Sequence, residues 1–308
     1  MLSPTPSPGQ SSPGGKPSPR LPAWLRVKQP RDGVFPGTAL AVAEHGLRTV
    51  CRQARCPNMF ECFGRGVATF LILGGACTRS CGFCNVAHGV PEPPEPDEPL
   101  RVAQAAARLG LKHVVITSVT RDDLPDGGAI QFAACVRAVR EALPGATVEV
   151  LVPDFQGSRE ALQMVLDAGP DVVNHNLETV PELYSLVRPQ ARYEQSLELL
   201  ERVAKSGRAS AKSGLMLGLG ESPGQVERTL ADLATAGCRM VTVGQYLRPG
   251  RRNLPVVRYV PPEEFEDVAR MGRAQGIPVM YCGPLVRSSH NAGDFTDGMR
   301  SQGSPCCP

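Results

Sequence analysis

The chain has 308 residues, enough for one large α/β domain or two small ones, and 42% of them are hydrophobic. Aromatic residues are only 5%, so Val, Leu, Ile and Ala must build the core. The formal net charge of +3 is too small to argue for nucleic acid or an anionic membrane as a partner, and no apolar run is long enough to span a bilayer.

The opening stretch, "MLSPTPSPGQ", has neither a basic start nor an apolar run, so it does not read as a secretory signal. A cytoplasmic location is expected. In that reducing compartment the eleven cysteines do not read as a disulfide framework; clustered, they read first as metal ligands. Residues 1–22 are mostly Pro, Ser and Gly and are expected to be a disordered tail. Trp24 and Leu25 are the first expected anchors onto a folded body. Residues 23–66 read as an N-terminal extension that carries "CRQARCPNMFEC".

From Ala68 a pattern recurs, in which a short apolar run is followed by an amphipathic stretch ending near Gly. "ATFLIL" leads to "LRVAQAAARLG", "HVVITS" to "AIQFAACVRAVREAL", and "TVEVLV" to "SREALQMVLDAG". "DVVNHN" leads to "YEQSLELLERVAKSG", "AKSGLML" to "SPGQVERTLADLATAG", and "RMVTVGQ" to "PPEEFEDVARMGRAQG". These are six strand–helix units, with "IPVMYC" as a further strand. Such alternation predicts a parallel sheet flanked by helices. The number of units, without a Rossmann glycine fingerprint, predicts a partial (β/α)6-type TIM barrel over residues 67–282, followed by a C-terminal segment, 283–308. Chemistry is then expected on the loops after the strands. There stand "CTRSCGFC", "TSVTRDDLPDGG", "NHNLET" and "GLGESP". Taken singly, "DLPDGG" reads equally well as a turn and "GLGESP" as a loop with a helix start.

"CTRSCGFC" places Cys77, Cys81 and Cys84 at C-x3-C-x2-C spacing. Zinc sites usually join two short-spaced cysteine pairs, whereas iron–sulfur clusters are thiolate-held. A cubane with three protein thiolates leaves one iron open to a small molecule. Cys51, Cys56 and Cys62 form a second incomplete set, C-x4-C-x5-C. "GPLVRSSHNAG", with Arg287, Ser288 and Ser289, stands near the far end.

The first of these motifs, after the first barrel strand, resembles the radical S-adenosylmethionine superfamily. Phe83 fits its aromatic preference before the last cysteine. In that superfamily the open iron chelates S-adenosylmethionine, whose cleavage gives a 5′-deoxyadenosyl radical. Both triplets together with R-S-S resemble the lipoyl synthase family, with likeness from about Trp24 to Asp294. The matching stretches include "VVITSVTRDDLPDGG", "EVLVPDFQG", "DVVNHNLETV", "KSGLMLGLGE" and "GQYLRPG". The resemblance implies a radical SAM [4Fe–4S] cluster on Cys77, Cys81 and Cys84. It implies an auxiliary [4Fe–4S] cluster on Cys51, Cys56, Cys62 and Ser289, which donates the sulfur. It also implies S-adenosylmethionine framed by Thr117, Ser118, Arg121, Asn174, Asn176, Glu178, Arg188, Lys212, Gly218 and Gly220.

The implied reaction inserts sulfur at C6 and C8 of an octanoyl chain on a carrier lysine. The implied partners are an octanoylated lipoyl carrier domain (a 2-oxoacid dehydrogenase E2 subunit or a glycine cleavage H protein), a low-potential ferredoxin- or flavodoxin-type donor, and an iron–sulfur carrier for cluster repair. No nucleic acid or membrane partner is expected. A biotin-synthase-like sulfur inserter, a passive iron–sulfur protein and a zinc-stabilised barrel are the competing readings.

Two departures stand out. His290 and Asn291 follow R-S-S where the family usually has Tyr then His, and Asn253 replaces a usual His before "LPV". Cys135, Cys238 and Cys282 read as core residues, and Cys306 and Cys307 as incidental to the tail. His88 and His175 read as structural histidines. Arg248, Arg251, Arg252 and Arg258 make a basic stretch, a solvated loop or a face for an acidic carrier.

Overall fold

The computed structural model describes residues 20–26, 40, 42–54, 56–64 and 69–289, and all that follows concerns these. Nearly all of the expected tail, with His290, Asn291, Cys306 and Cys307, lies outside them. Leu25 is buried as an anchor, whereas Trp24 remains exposed.

Each apolar run forms a strand where its pattern predicts one. These are β2 (Thr69–Ile72), β5 (His113–Ser118), β6 (Thr147–Leu151), β7 (Val172–Asn174), β8 (Ser210–Leu217), β9 (Met240–Gln245) and β10 (Val279–Gly283). They pair in sequential order, all parallel. A two-residue strand absent from the sequence pattern, β1 (Arg48–Thr49), adds antiparallel to β2 at one edge. A separate parallel pair, β3 (Ala76–Cys77) and β4 (Ala87–His88), frames the cysteine loop.

The six crossover helices are Glu98–Arg108, Ala129–Ala142, Arg159–Asp167, Tyr193–Ser206, Pro223–Thr235 and Pro262–Ala274. Their apolar stripes make the core. Leu162, Val165 and Leu166 from one helix meet Val148 and Val150 of β6 there. The alternate residues of β6, Thr147 and Glu149, face the other side, into the barrel lumen. Helix starts explain part of the loop motifs. The Asp126 carboxylate accepts from the N–H groups of Gly128 and Ile130, and Ser222 with Gln225 forms a capping box.

Parallel strands with sequential order put every strand's C-terminal end on one rim. That rim is strained. Among the described residues, the non-glycine positions with positive φ are Leu73, Phe155, Gln156 and Glu178, and all follow barrel strands there. Such backbone persists only where surrounding contacts over-determine it, and it concentrates at functional sites.

The segment after β10 folds back over this rim. Gln245 N–H donates to Pro284 O at 3.3 Å. Gly244 makes the crossing possible, because a Cβ there would lie 2.1 Å from Val286 O. Among the described residues no helix is long and apolar enough to cross a membrane.

Candidate active site

Cys77 lies on β3, and Cys81 and Cys84 lie on the turn between β3 and β4. Each of the three thiols sits within electrostatic range of the others. Backbone N–H groups already point at two of the sulfurs, Thr120 at Cys77 (3.3 Å) and Val86 at Cys84 (3.5 Å). Burial pushes the Cys84 thiol up to about 12, and burial raises Cys81 against the pull of Arg188. Thiols of this kind bind metal with release of protons. The loop is pinned from outside as well. Gly82 N–H donates to Val187 O, Leu254 N–H donates to Gly82 O (both 2.9 Å), and Asn253 Nδ2 donates to Cys84 O at 2.7 Å. Asn253, the departure before "LPV", therefore holds the carbonyl of the last cysteine.

The other triplet, Cys51, Cys56 and Cys62, is tied to this rim by neighbouring residues, while Cys51 itself packs against Thr69 at the opposite end of β2. Cys51 is buried on the short helix Val50–Gln53 beside β2, and Cys56 lies within its electrostatic range. Burial raises the Cys51 thiol. Cys62 lies on the helix Met59–Gly64. Asn58, between the cysteines, donates to Leu285 O at 2.7 Å, which ties this stretch to the segment carrying Arg287, Ser288 and Ser289. Asn85 Nδ2 donates to Gln53 O at 2.9 Å, which ties it to the second cysteine loop. Arg287 lies within electrostatic range of both Cys56 and Glu178. Among the described residues no group of three His, Cys, Asp or Glu side chains is gathered to hold a single ion. In a cubane each thiolate binds a different iron, so its ligands stand further apart than around one zinc.

The rim residues expected to frame S-adenosylmethionine divide into two sets. Buried Ser118 Oγ, Asn174 Oδ1, Asn176 Oδ1 and Arg188 Nε have no hydrogen-bond partner. Such orphans are costly unless a polar ligand meets them. Glu178 is held at φ 68 by Gly214 O and Met216 N–H. Burial raises its carboxyl, and Arg188, Asn176 and Arg287 oppose that rise. Arg188 donates to Asn176 O (2.8 Å) and lies over the Tyr184 ring. Burial works against its charge, yet Tyr184, Glu178 and Cys81 hold its pKa above the ordinary value.

The second set is already engaged within the protein. Thr117 Oγ1 donates to Leu151 O at 2.9 Å. Arg121 binds Asp123 and Leu73 O. Lys212 sits inside the barrel, paired with Glu149 at 2.8 Å, both 1% exposed. The space beside Gly218 is filled, since a Cβ there would lie 2.2 Å from Gln245 Nε2. The carboxylate of Glu221 binds the N–H groups of Gly218 and Leu219. Gly220 (φ 118) has more room, with only Val257 near its Cβ position, at 3.8 Å.

Cys135 and Cys238 are core residues, and Cys282 packs against the core. His175 is buried between Val152 O (2.8 Å) and Ser196 Oγ (2.9 Å), and His88 is exposed. Arg248, Arg251 and Arg252 are exposed, whereas Arg258 pairs with Glu264.

A family model described as the Radical SAM superfamily matches residues 71–233. Proteins named lipoyl synthase match nearly the whole chain. That of Nitratidesulfovibrio vulgaris is 60% identical over 286 residues, 93% of this chain and 94% of its own. Those of Oleidesulfovibrio alaskensis (59% over 276 residues, 90% and 94%) and Methylococcus capsulatus (54% over 275 residues, 89% and 85%) follow the same pattern. The chain belongs to the lipoyl synthase family.

Lipoyl synthases are radical SAM enzymes, so the cofactors are [4Fe–4S] clusters and S-adenosylmethionine. The donor sets described above fit them. Each triplet supplies soft thiolates, the chemistry iron–sulfur clusters take, and the orphaned rim atoms suit a polar ligand. Among solved structures, SuiB of Streptococcus suis bound to S-adenosylmethionine aligns with TM-score 0.55 at 12% identity, over 73% of this chain and 53% of that one. HydG, a maturase of the [FeFe]-hydrogenase, aligns with TM-score 0.55 at 15% identity, over 68% and 50%. These two likenesses show the fold alone.

Sequence pattern does not mark Arg79, Asp122 and Asp154, which form an ion network under the cysteine loop, with Arg79 and Asp154 buried and Asp122 half-buried. The one available signal was an arginine inside the cysteine motif itself.

Proposed function

We propose that this lipoyl synthase family member inserts sulfur at C6 and C8 of an N6-octanoyl-lysine, with the auxiliary cluster as sulfur donor. The observation that carries the reading is that the stretch holding Cys51, Cys56 and Cys62 is tied both to the Cys77–Cys84 loop, through Asn85 to Gln53 O, and to the segment holding Ser289, through Asn58 to Leu285 O. Cys77, Cys81 and Cys84 hold the radical SAM cluster, and Cys51, Cys56, Cys62 and Ser289 hold the auxiliary one. The target carbons carry no acidic proton, so a base cannot activate them; the bound cofactors supply a radical that removes hydrogen from them. The protein's share is to hold and to orient. Ser118, Asn174, Asn176 and Arg188 offer unpaired polar atoms to S-adenosylmethionine, and Glu178 offers a carboxylate to its hydroxyl or amino groups. The apolar belt Phe83, Leu254 and Val187 beside the loop limits water at the radical's position.

An octanoylated carrier domain docks over the exposed arginines Arg248, Arg251 and Arg252, on the loop whose Asn253 holds Cys84 O. A low-potential donor and an iron–sulfur carrier serve the clusters, and the chain works in the cytoplasm. The domain plan is a tail (1–22), an auxiliary-cluster extension (23–66), the barrel (67–282) and a C-terminal segment (283–308). Anaerobic reconstitution tests the site. About eight irons per chain are expected, falling to about four in Cys51→Ala/Cys56→Ala and in Cys77→Ala/Cys81→Ala. Only the first of these variants should still make 5′-deoxyadenosine. If both variants kept all their iron, the assignment would fail.

A further inference from the structure

Arg79 stands between Cys77 and Cys81, yet its side chain turns away from solvent and is only 7% exposed. Four charge-assisted hydrogen bonds hold it. Nε and Nη2 donate to the Asp122 carboxylate (2.6 and 2.9 Å), and Nη1 and Nη2 donate to the Asp154 carboxylate (2.8 and 2.7 Å). Paired fork geometry of this kind fixes orientation as well as distance.

The two carboxylates come from loops after β5 and β6, so the network ties the cysteine loop to two other strand ends. Both ties are themselves braced. Asp154 opens a turn in which Phe155 and Gln156 take left-handed backbone, and Gln156 Nε2 donates to Asp122 O at 3.1 Å. Thr78 donates twice to Thr120 O (3.1 and 3.0 Å), and Thr120 N–H in turn points at the Cys77 sulfur. At the loop's entry, Leu73 is held at φ 66 from both sides. Its N–H meets the buried carboxylate of Glu98 (3.0 Å), and its carbonyl meets Arg121 Nη1 (3.2 Å). The "TRDD" segment therefore reaches the loop through three residues, Arg121 at its entry, Thr120 beside Cys77 and Asp122 at its middle.

We propose that Arg79, Asp122 and Asp154 are positioning residues that hold Cys77 and Cys81 at cluster spacing. The three residues are spent on one another and on the backbone of these loops, and they act through the loop. Removing one partner of the buried Arg79–Asp154 pair leaves the other charge uncompensated, so the loop loses its fixed path. Arg79→Lys keeps the charge but not the fork, and is therefore a loss of function in this account.

The proposal rests on the reading of Cys77, Cys81 and Cys84 as cluster ligands. The test is anaerobic reconstitution of the full chain, with iron and sulfide counted and the reduced clusters followed by EPR with and without S-adenosylmethionine. The unaltered chain should hold about eight irons. Asp154→Asn and Arg79→Lys should hold about four, keep the auxiliary cluster, and lose the EPR signal that responds to S-adenosylmethionine. Variants with the full iron content and an unchanged responsive signal would overturn the positioning role alone. So would loss of both clusters together, since the effect would then not be local. An unaltered chain that took up no iron would overturn the ligand reading, and the triad's role with it.

Discussion

Gly244→Ala separates the two halves of the site by a single methyl group. The Cβ position at Gly244 lies 2.1 Å from Val286 O and 3.1 Å from its carbonyl carbon. Real Cβ contacts essentially never fall below 3.0 Å, so the chain over β9 must lift by about 1 Å. The obstacle is backbone, and no rotamer change relieves it. Overpacking of this kind costs about 1–3 kcal/mol, borne here by the crossing segment and its ties. Those ties are few: Gln245 N–H to Pro284 O at 3.3 Å and Asn58 to Leu285 O at 2.7 Å. The segment carries Ser289, so its displacement should loosen the auxiliary cluster and leave the radical SAM cluster in place. A misplacement of about 1 Å can cost roughly 100-fold in a reaction that depends on orientation. The assay compares sulfur insertion with 5′-deoxyadenosine formation in the absence of carrier. Insertion should fall steeply while cofactor cleavage stays near the level of the unaltered chain. Equal loss of both, or a full auxiliary cluster with normal insertion, would refute the role given to the crossing segment.

Three further outcomes follow from the same geometry. Arg251→Glu/Arg252→Glu should raise KM for an octanoylated carrier domain by about tenfold, steeply dependent on salt, with cofactor cleavage unchanged; an unaffected KM would remove the docking face. Ser289→Cys should still assemble the auxiliary cluster but release sulfur more slowly, because thiolate is the softer and tighter ligand for iron; normal release of both sulfurs would contradict the oxygen ligand as the weak corner. The third concerns acid. His175 donates from Nδ1 to Val152 O and accepts from Ser196, so burial, helped by Arg188, keeps it neutral and lowers its pKa from 6.5 to about 4. Between those values only the unfolded chain takes the proton, so stability is whole above pH 6.5 and falls by about 3 kcal/mol by pH 4. The thermal midpoint of the metal-free protein should track that window and flatten in His175→Gln; equal slopes would dismiss the histidine.

The repeating units were legible because each strand is a short apolar run and each helix keeps its own stripe. Val148 and Val150 announce β6, and Leu162, Val165 and Leu166 announce the helix after it. The cysteine triplets were legible for a different reason, since the cysteines of each stand close together in sequence. What escaped was long-range pairing. Arg79 finds Asp154 across 75 positions, and Lys212 finds Glu149 across 63. Neither pattern nor spacing distinguishes an arginine that will be buried in a fork from one that meets a ligand. Arg121 illustrates the difficulty. The family resemblance implies a cofactor contact for it, and within the protein its hydrogen bonds run to Asp123 and to the strained turn at Leu73. β1 was too short to carry a period, and Gly244 has meaning only once another segment crosses above it.

The most direct test of the whole account is turnover on a peptide bearing N6-octanoyl-lysine, read by mass under anaerobic, reducing conditions. The product should have gained two sulfur atoms, with both lost from the auxiliary cluster and two equivalents of S-adenosylmethionine consumed. Sustained cleavage of S-adenosylmethionine with the octanoyl peptide unchanged would contradict it.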